Sequence, residues 1–448
     1  MIINKRKKAL VLRLRDPERV TAVIPSAKKF TYRGKEYVAV RHGPDETKVL
    51  RNLGISAPSP ILHHYTWPGR YKPFEAQREA AAFLSLENRA FNLSDLGTGK
   101  TLATLWAYDF LRSRGVVKKA LVITPLSTLE RVWGDEVFQH FNHLNVAVLH
   151  GAREHRLKLL EEDADLYLIN HDGIKVSGFV EALQNRPDID LVIIDEVAQM
   201  ARNAGTERFR ALMMLCNRQV PRKVWGLTGT PTPNAPTDAW AQCRLLVPER
   251  VPVYFNRFKD MVMKQVNQFL WLPRVNATEV VHEAMQPAIR FKRDECVDLP
   301  PCMYETREAP LTKDQSRAYK DMLDRLCIEA KCGKITAANE AVKAQKLIQI
   351  ACGVVYDGNG GEAVLDAGPR LDVVTEIVES AGAKVIVFVP FVAVIDHVLQ
   401  HIRDAGFTAE AIHGGVSKGD RDRIFSDFMR ASNPHVIEIG RASCRERV

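Results

Sequence analysis

Two short segments carry residue types suited to chemistry on a phosphate ester, and a third follows them in register. Gly97-Thr98-Gly99-Lys100-Thr101 joins two glycines to a lysine and two hydroxyls. Glycines let the backbone turn tightly, so that amide groups point inward at a phosphate. A helix opening at Thr101 adds its N-terminal dipole, Lys100 reaches the β- and γ-phosphates of a nucleotide, and the Thr101 hydroxyl suits Mg2+. Asp195-Glu196 closes the apolar run Leu191-Val192-Ile193-Ile194 and sets two carboxylates at one strand end. Adjacent carboxylates can divide the work there, Asp195 holding Mg2+ and Glu196 polarising an attacking water. Downstream stands Leu227-Thr228-Gly229-Thr230-Pro231-Thr232-Pro233-Asn234.

Such residues need strands that end together. The apolar stretches at 121–123, 166–169, 191–194 and 224–227 alternate with amphipathic helical sequence. Continuous apolar strands separated by helices predict a parallel sheet covered on both faces, with ligands at the carboxyl ends of its strands. Residues 9–15 and 35–40 instead alternate with the two-residue period of half-buried strands. Residues 1–60 therefore read as a small β-rich module, bounded by Pro58-Ser59-Pro60. A first α/β lobe is expected over 65–240 and a helical, charged insertion and connector over 241–367. A second, partial lobe is expected over 368–438, where the rhythm returns at 384–388, a helix at 392–405 and a strand near Ala411-Ile412.

Composition sets the bounds. The 448 residues, 46% hydrophobic, suffice for two or three domains with cores. A net charge of +9 favours a polyanionic partner. The eight cysteines show no disulfide framework, the basic Lys5-Arg6-Lys7-Lys8 precedes too short an apolar run for a secretory signal, and no run would span a membrane. A reducing cytoplasm is the expected compartment. Cys296, Cys302, Cys327, Cys332 and Cys352 lack the spacing of zinc knuckles and read as scattered thiols. His63-His64 reads as solvated linker, Trp133 as a packing residue, and Lys5 to Lys8 as a solvated arm.

Taken together these segments resemble superfamily-two helicases (the DEAD/DEAH-box-like proteins), and among them the Swi/Snf-like translocases on double-stranded DNA. Asp95-Leu96-Gly97-Thr98-Gly99-Lys100-Thr101 looks like that family's Asp-x-Gly-x-Gly-Lys-Thr loop, and Leu227 to Asn234 matches its Leu-Thr-Gly-Thr-Pro-x-x-Asn. Lys72-Pro73-Phe74-Glu75-Ala76-Gln77 resembles the segment whose glutamine reads adenine, with Tyr71 nearby. Thr124-Pro125-Leu126 with Trp133 and Glu136 is similar to the motif after the second strand. Arg293 to Pro301 with Gln315 and Tyr319 resembles the connector between lobes, and His413-Gly414-Gly415 before Arg421 to Phe428 an early motif of the second lobe. The acidic motif departs from the family: Ala198 stands where Asp-Glu-Ala-His has histidine.

The resemblance implies two RecA-like lobes, ATP and Mg2+ as cofactors, and Gln77, Gly97, Thr98, Gly99, Lys100 and Thr101 as nucleotide contacts. It also implies that Thr228, Gly229 and Thr230 couple the nucleotide's state to DNA. The partner would be double-stranded or branched DNA, and the motor a monomer of phage or bacterial type. A helicase subunit of a restriction or nuclease system is the rival reading.

The second lobe reads as incomplete. His435-Val436-Ile437 looks like the start of a strand, and residues 439–448 match the translation of a common sequencing adaptor, so we expect a C-terminally truncated fragment with a non-native tail. Such motors close ATP with second-lobe arginines that this chain would then lack, leaving an ATP- and DNA-binding module with little turnover.

Overall fold

A computed structural model of the chain describes residues 1–217, 222–268, 270–296, 298, 300, 302–331, 337–356 and 361–440. It comprises two compact units, Met1–Pro300 and Pro301–Val448.

The first unit begins with a four-stranded antiparallel sheet of β1 (Ile2–Asn4), β2 (Ala9–Leu12), β3 (Lys28–Tyr32) and β4 (Lys35–Arg41), in the order β1-β2-β4-β3. Alternation along β2 and β4 turns Leu10, Leu12, Val38 and Val40 to one face, where they bury against Val20 and Leu50. The hairpin from β3 to β4 turns through Arg33 and Gly34, both at positive φ (49° and 72°), the backbone that a two-residue turn requires.

A parallel sheet of seven strands follows: β5 (Arg89–Asn92), β6 (Lys119–Thr124), β7 (Val146–Leu149), β8 (Leu166–Asn170), β9 (Ile189–Asp195) and β10 (Lys223–Leu227). Beyond the small antiparallel hairpin of β11 (Met263–Gln265) and β12 (Trp271–Pro273), β13 (Ala288–Ile289) joins it at one edge. The order is β13-β5-β10-β9-β6-β8-β7. Leu191, Val192, Ile193 and Ile194 are all fully buried, because Leu191 and Ile193 feed the core on one face while Val192 and Ile194 feed the other. Each such side chain contributes about 1.5–3 kcal/mol on burial. Helix Lys100–Ser113 lays Leu105, Trp106, Tyr108 and Phe110 into the first of these cores.

Two features of this unit differ from the sequence reading. The sheet does not finish at 240, since β13 adds an edge strand nearly fifty residues later; two residues are too few to show a period. Strand β5, which leads into the phosphate loop, holds only two apolar residues between Arg89 and Asn92 and was equally silent.

The second unit has helices Lys313–Lys331 and Ala337–Cys352 and a hairpin of β14 (Val354–Tyr356) and β15 (Glu362–Val364). Its parallel sheet has the order β16-β18-β17, from β16 (Val385–Val389), β17 (Ala409–Ile412) and β18 (Val436–Gly440). Helix Val392–Asp404 matches the predicted one closely, and packs Ile395, Val398 and Ile402 on the sheet with Val436. Ile439 and Gly440, placed in the tail by the sequence reading, pair within β18 opposite Phe388 and Val389; residues 441–448 lie outside the described residues. At the centre of β18, between Val387 and Ala411, the Glu438 side chain is fully buried and neither carboxylate oxygen has a hydrogen-bond partner. Burial, helped by Asp396, pushes its carboxyl up to about 9.

Candidate nucleotide site

The glycines of the phosphate loop do separate jobs. Gly97 and Gly99 both adopt left-handed backbone, φ 83° and 75°. Gly99 caps helix Lys100–Ser113 in left-handed backbone that disfavours any side chain, and a Cβ there would push the Gln77 carboxamide aside. The Thr98 hydroxyl donates to the Asp95 carbonyl at 2.8 Å. Lys100 Nζ donates to the carbonyls of Ser94 (2.8 Å) and Asp95 (3.0 Å), folding the loop onto its own lysine. Burial pulls the Lys100 pKa down, while the carboxylates of Glu196, Asp195 and Asp95 act to keep the ammonium charged. Thr101 lies in the first turn of the same helix.

Adjacent strands bring the acidic pair to this loop. Asp195 ends β9 and is held at three points: Oδ2 accepts from Thr124 Oγ1 and from Trp133 Nε1, each at 3.0 Å, and Oδ1 accepts from the Glu196 amide at 3.0 Å. His171 Nε2 donates to the Asp195 carbonyl at 2.9 Å, and burial pulls that imidazole's pKa down, favouring the neutral ring. Glu196 takes left-handed backbone (φ 49°, ψ 49°), a conformation costing a non-glycine residue about 1–2 kcal/mol. Strain of this kind collects where a side chain must be aimed. The Glu196 carboxylate accepts from Thr228 Oγ1 at 3.4 Å.

Thr228, fully buried at the end of β10, donates its amide to the Asn92 carbonyl at 3.1 Å, and its hydroxyl accepts from the Thr230 amide at 3.3 Å. A Cβ at Gly229 would meet the Leu96 amide at 3.3 Å, so the Thr-Gly-Thr segment rests on the entrance of the phosphate loop. Because β5, β10, β9 and β6 are neighbours in the sheet, four strand ends deliver Lys100, Thr228, Asp195 and Thr124 to one place.

Gln77 lies in the first turn of helix Glu75–Leu84, nearly buried, with Oε1 accepting from the Phe74 amide at 2.9 Å and Nε2 facing Gly99. Its carboxamide therefore touches the phosphate loop directly. Tyr71 is more than half exposed, its ring 5.6 Å from that of His140. Trp133 is indeed buried packing, but its indole N–H also orients Asp195, which makes it a positioning residue that hydrophobicity alone concealed. Thr124 and His171 were likewise missed as partners of Asp195; a hydroxyl at the carboxyl end of the neighbouring strand was the available signal. His63 and His64 are half-buried instead of solvated, and His64 Nε2 lies 2.8 Å from His42 Nδ1. Ala198, at the family's histidine position, is buried.

The residues suit MgATP. The loop offers inward amides and an ammonium, and the Thr101 hydroxyl and Asp195 carboxylate are hard oxygen donors of the kind Mg2+ prefers. Two protein donors leave most of a six-coordinate Mg2+ shell to phosphate and water. Cys296 is half-buried, Cys302 exposed and Cys352 buried, while Cys327 and Cys332 fall outside the described side chains. Among the described residues no helix is long and apolar enough to cross a membrane.

Residues 77–352 match the family profile of the SNF2-related domain, and residues 369–439 that of the helicase conserved C-terminal domain. Putative protein p41 of Acyrthosiphon pisum secondary endosymbiont phage 1 is 28% identical over 315 residues, covering 65% of this chain and 66% of the phage protein. The ATP-dependent DNA helicase DDM1 of Arabidopsis thaliana is 23% identical over 366 residues, 74% of this chain and 47% of the plant protein. This chain thus spans about half to two-thirds of those relatives. The Sulfolobus solfataricus SWI2/SNF2 ATPase core in complex with dsDNA aligns over 84% of this chain and 79% of its own, with 22% identity and a TM-score of 0.46.

Proposed function

We propose, for a chain that belongs to the SNF2-related domain family, that the site hydrolyses MgATP to drive translocation along double-stranded DNA. The observation that supports this best is the meeting of Lys100, Asp195, Glu196 and Thr228 at adjacent strand ends, with Glu196 strained into position beside the buried Thr228 hydroxyl. Gln77 holds the base side of the loop, residues 97–101 the phosphates, and Thr101 and Asp195 a Mg2+ ion. Bound there, Mg2+ would neutralise charge developing on the phosphates. Glu196 orients the attacking water and takes its proton. Thr228 then carries the change to Thr230 and to the loop under Gly229. The net charge of +9 and the plant relative's description as a DNA helicase favour DNA as the track.

Binding to duplex is then expected to be blind to sequence and to fall with salt, log affinity dropping by about 0.9 per phosphate contacted for each decade of salt. The test of the site is calorimetry with MgATP, in which Lys100→Ala abolishes binding. Unchanged affinity in that variant refutes the site. Phosphate release stimulated by duplex DNA and lost in Glu196→Gln tests the motor; release that survives that substitution refutes the role of Glu196.

A further inference from the structure

The phosphate loop has a neighbour that none of its motifs includes. The segment ending the first unit's sheet runs on past β13 and stays bonded to the chain that leads into the loop. The amides of Phe91, Leu93 and Asp95 donate in turn to the carbonyls of Pro287, Ile289 and Phe291, at 3.0, 2.8 and 2.9 Å. The Phe291 amide donates back to Ser94 Oγ at 3.2 Å, and the Arg293 amide to Asp95 Oδ2 at 3.3 Å. Arg290 approaches the other oxygen of Asp95 at 3.7 Å. The Asp95 carboxylate is thus taken up by this segment on both sides, which fixes the Arg293 backbone relative to the loop.

The Arg293 side chain leans on the loop itself. Its Cδ lies 3.7 Å from where a Gly97 Cβ would stand. The guanidinium is half exposed, and the Asp294 carboxylate, 3.9 Å from its Nε, is 90% exposed. An ion pair so open to water is screened and gives way readily to a stronger anion. A guanidinium offers a planar fork of donors that matches phosphate oxygens in pairs, and it stays charged at every working pH. A fixed backbone, a side chain already against the first glycine and a weak competing partner make up a cation poised for the ligand of this loop.

We propose that Arg293 is a further nucleotide-binding residue, its guanidinium closing on the phosphates that residues 97–101 cradle. The proposal rests on the nucleotide reading given above and adds that the contact is made by the side chain alone, from a backbone already tied to the loop.

Calorimetry on the full chain tests it with MgATP and MgADP. Arg293→Ala keeps the backbone bond to Asp95, so the fold survives, and affinity for both nucleotides drops about ten- to a hundredfold, the worth of one hydrogen-bonded charge. Arg293→Lys recovers part of the loss, and the salt dependence of binding is shallower in the alanine variant than in the parent. Should Lys100→Ala abolish binding while Arg293→Ala stays within twofold of the parent, the nucleotide site stands and the role of Arg293 is overturned. Should the parent chain bind neither nucleotide, both readings fall. Equal losses in the alanine and lysine variants together with a lowered unfolding temperature place the effect in the fold and overturn the proposal.

Discussion

Glu438 offers a perturbation whose size follows from its surroundings. The carboxyl, in the middle strand of the second unit's sheet, has a pKa raised from an ordinary 4.5 to about 9, by burial first and by Asp396 second. Below pH 4.5 the folded and unfolded chains both hold the proton, and the site is neutral in either. As pH rises the unfolded chain releases its proton while the folded one keeps it, so stability is lost steadily until the folded carboxyl titrates near 9. Each unit of separation is worth about 1.4 kcal/mol. At pH 7, two and a half units above the ordinary value, the second unit gives up roughly 3 kcal/mol.

Glu438→Leu should therefore stabilise that unit by roughly this amount at pH 7, have little effect of this origin at pH 4.5, and flatten the pH dependence between. Asp396→Asn should lower the pH at which the loss of stability levels off, leaving the slope below that pH unchanged. Hydrogen exchange at the amides of β16 and β18 in the full chain, corrected for intrinsic exchange at each pH, reads the local stability directly. Identical pH slopes in the parent and the leucine variant, or a leucine variant less stable at pH 7, would show that the carboxylate finds solvent or a partner and that the reasoning is wrong.

The nucleotide site allows three further predictions. Gly99→Ala forces left-handed backbone on a residue with a side chain, at about 1–2 kcal/mol, and drives its methyl into the Gln77 carboxamide. Affinity for ATP should fall more than about tenfold, with discrimination against GTP falling too, in competitive binding; an unaltered ATP to GTP ratio would detach Gln77 from base recognition. Trp133→Phe removes one of the donors to Asp195 Oδ2 and leaves Thr124 in place, so the Mg2+ concentration needed for half-maximal nucleotide binding should rise by about tenfold while metal-free binding holds. Thr228→Val keeps the shape and deletes the hydroxyl, and should leave ATP affinity nearly intact while weakening stimulation by DNA; stimulation equal to the parent's would remove Thr228 from the coupling path.

How far the sequence disclosed all this depended on the kind of signal. The loop at 97–101 and the pair Asp195-Glu196 are legible because their chemistry demands particular residue types in immediate succession. The strands at 121–123, 166–169, 191–194 and 224–227 are legible because burial on both faces leaves them uniformly apolar. Partners brought in by neighbouring strands carried no such mark. Thr124 touches Asp195 because β6 ends beside β9, and His171, which follows β8 one strand further out, reaches the Asp195 carbonyl with its ring. Trp133 announced its hydrophobic bulk and kept its single N–H out of view. Arg293 lay in a segment recognisable as a connector, yet its place against Gly97 depends on β13, two residues with no period to read.

One atom described above has an inventory that limits what the site can report. The Thr228 hydroxyl has a single hydrogen, given to Glu196, and it accepts from the Thr230 amide. That arrangement fits an ionised Glu196, which can only accept. In the proposed mechanism, a Glu196 that takes a proton from water becomes a donor, and the polarity of the contact can reverse. Where the proton settles on Oε2, the oxygen facing Thr228, the threonine hydrogen turns to another acceptor. Under the proposed mechanism the direction of this one O–H bond follows the proton on the oxygen that faces Thr228. The bond belongs to a buried side chain whose backbone is tied to the strand before the phosphate loop. Serine at 228 could keep that bond; alanine or valine would erase it.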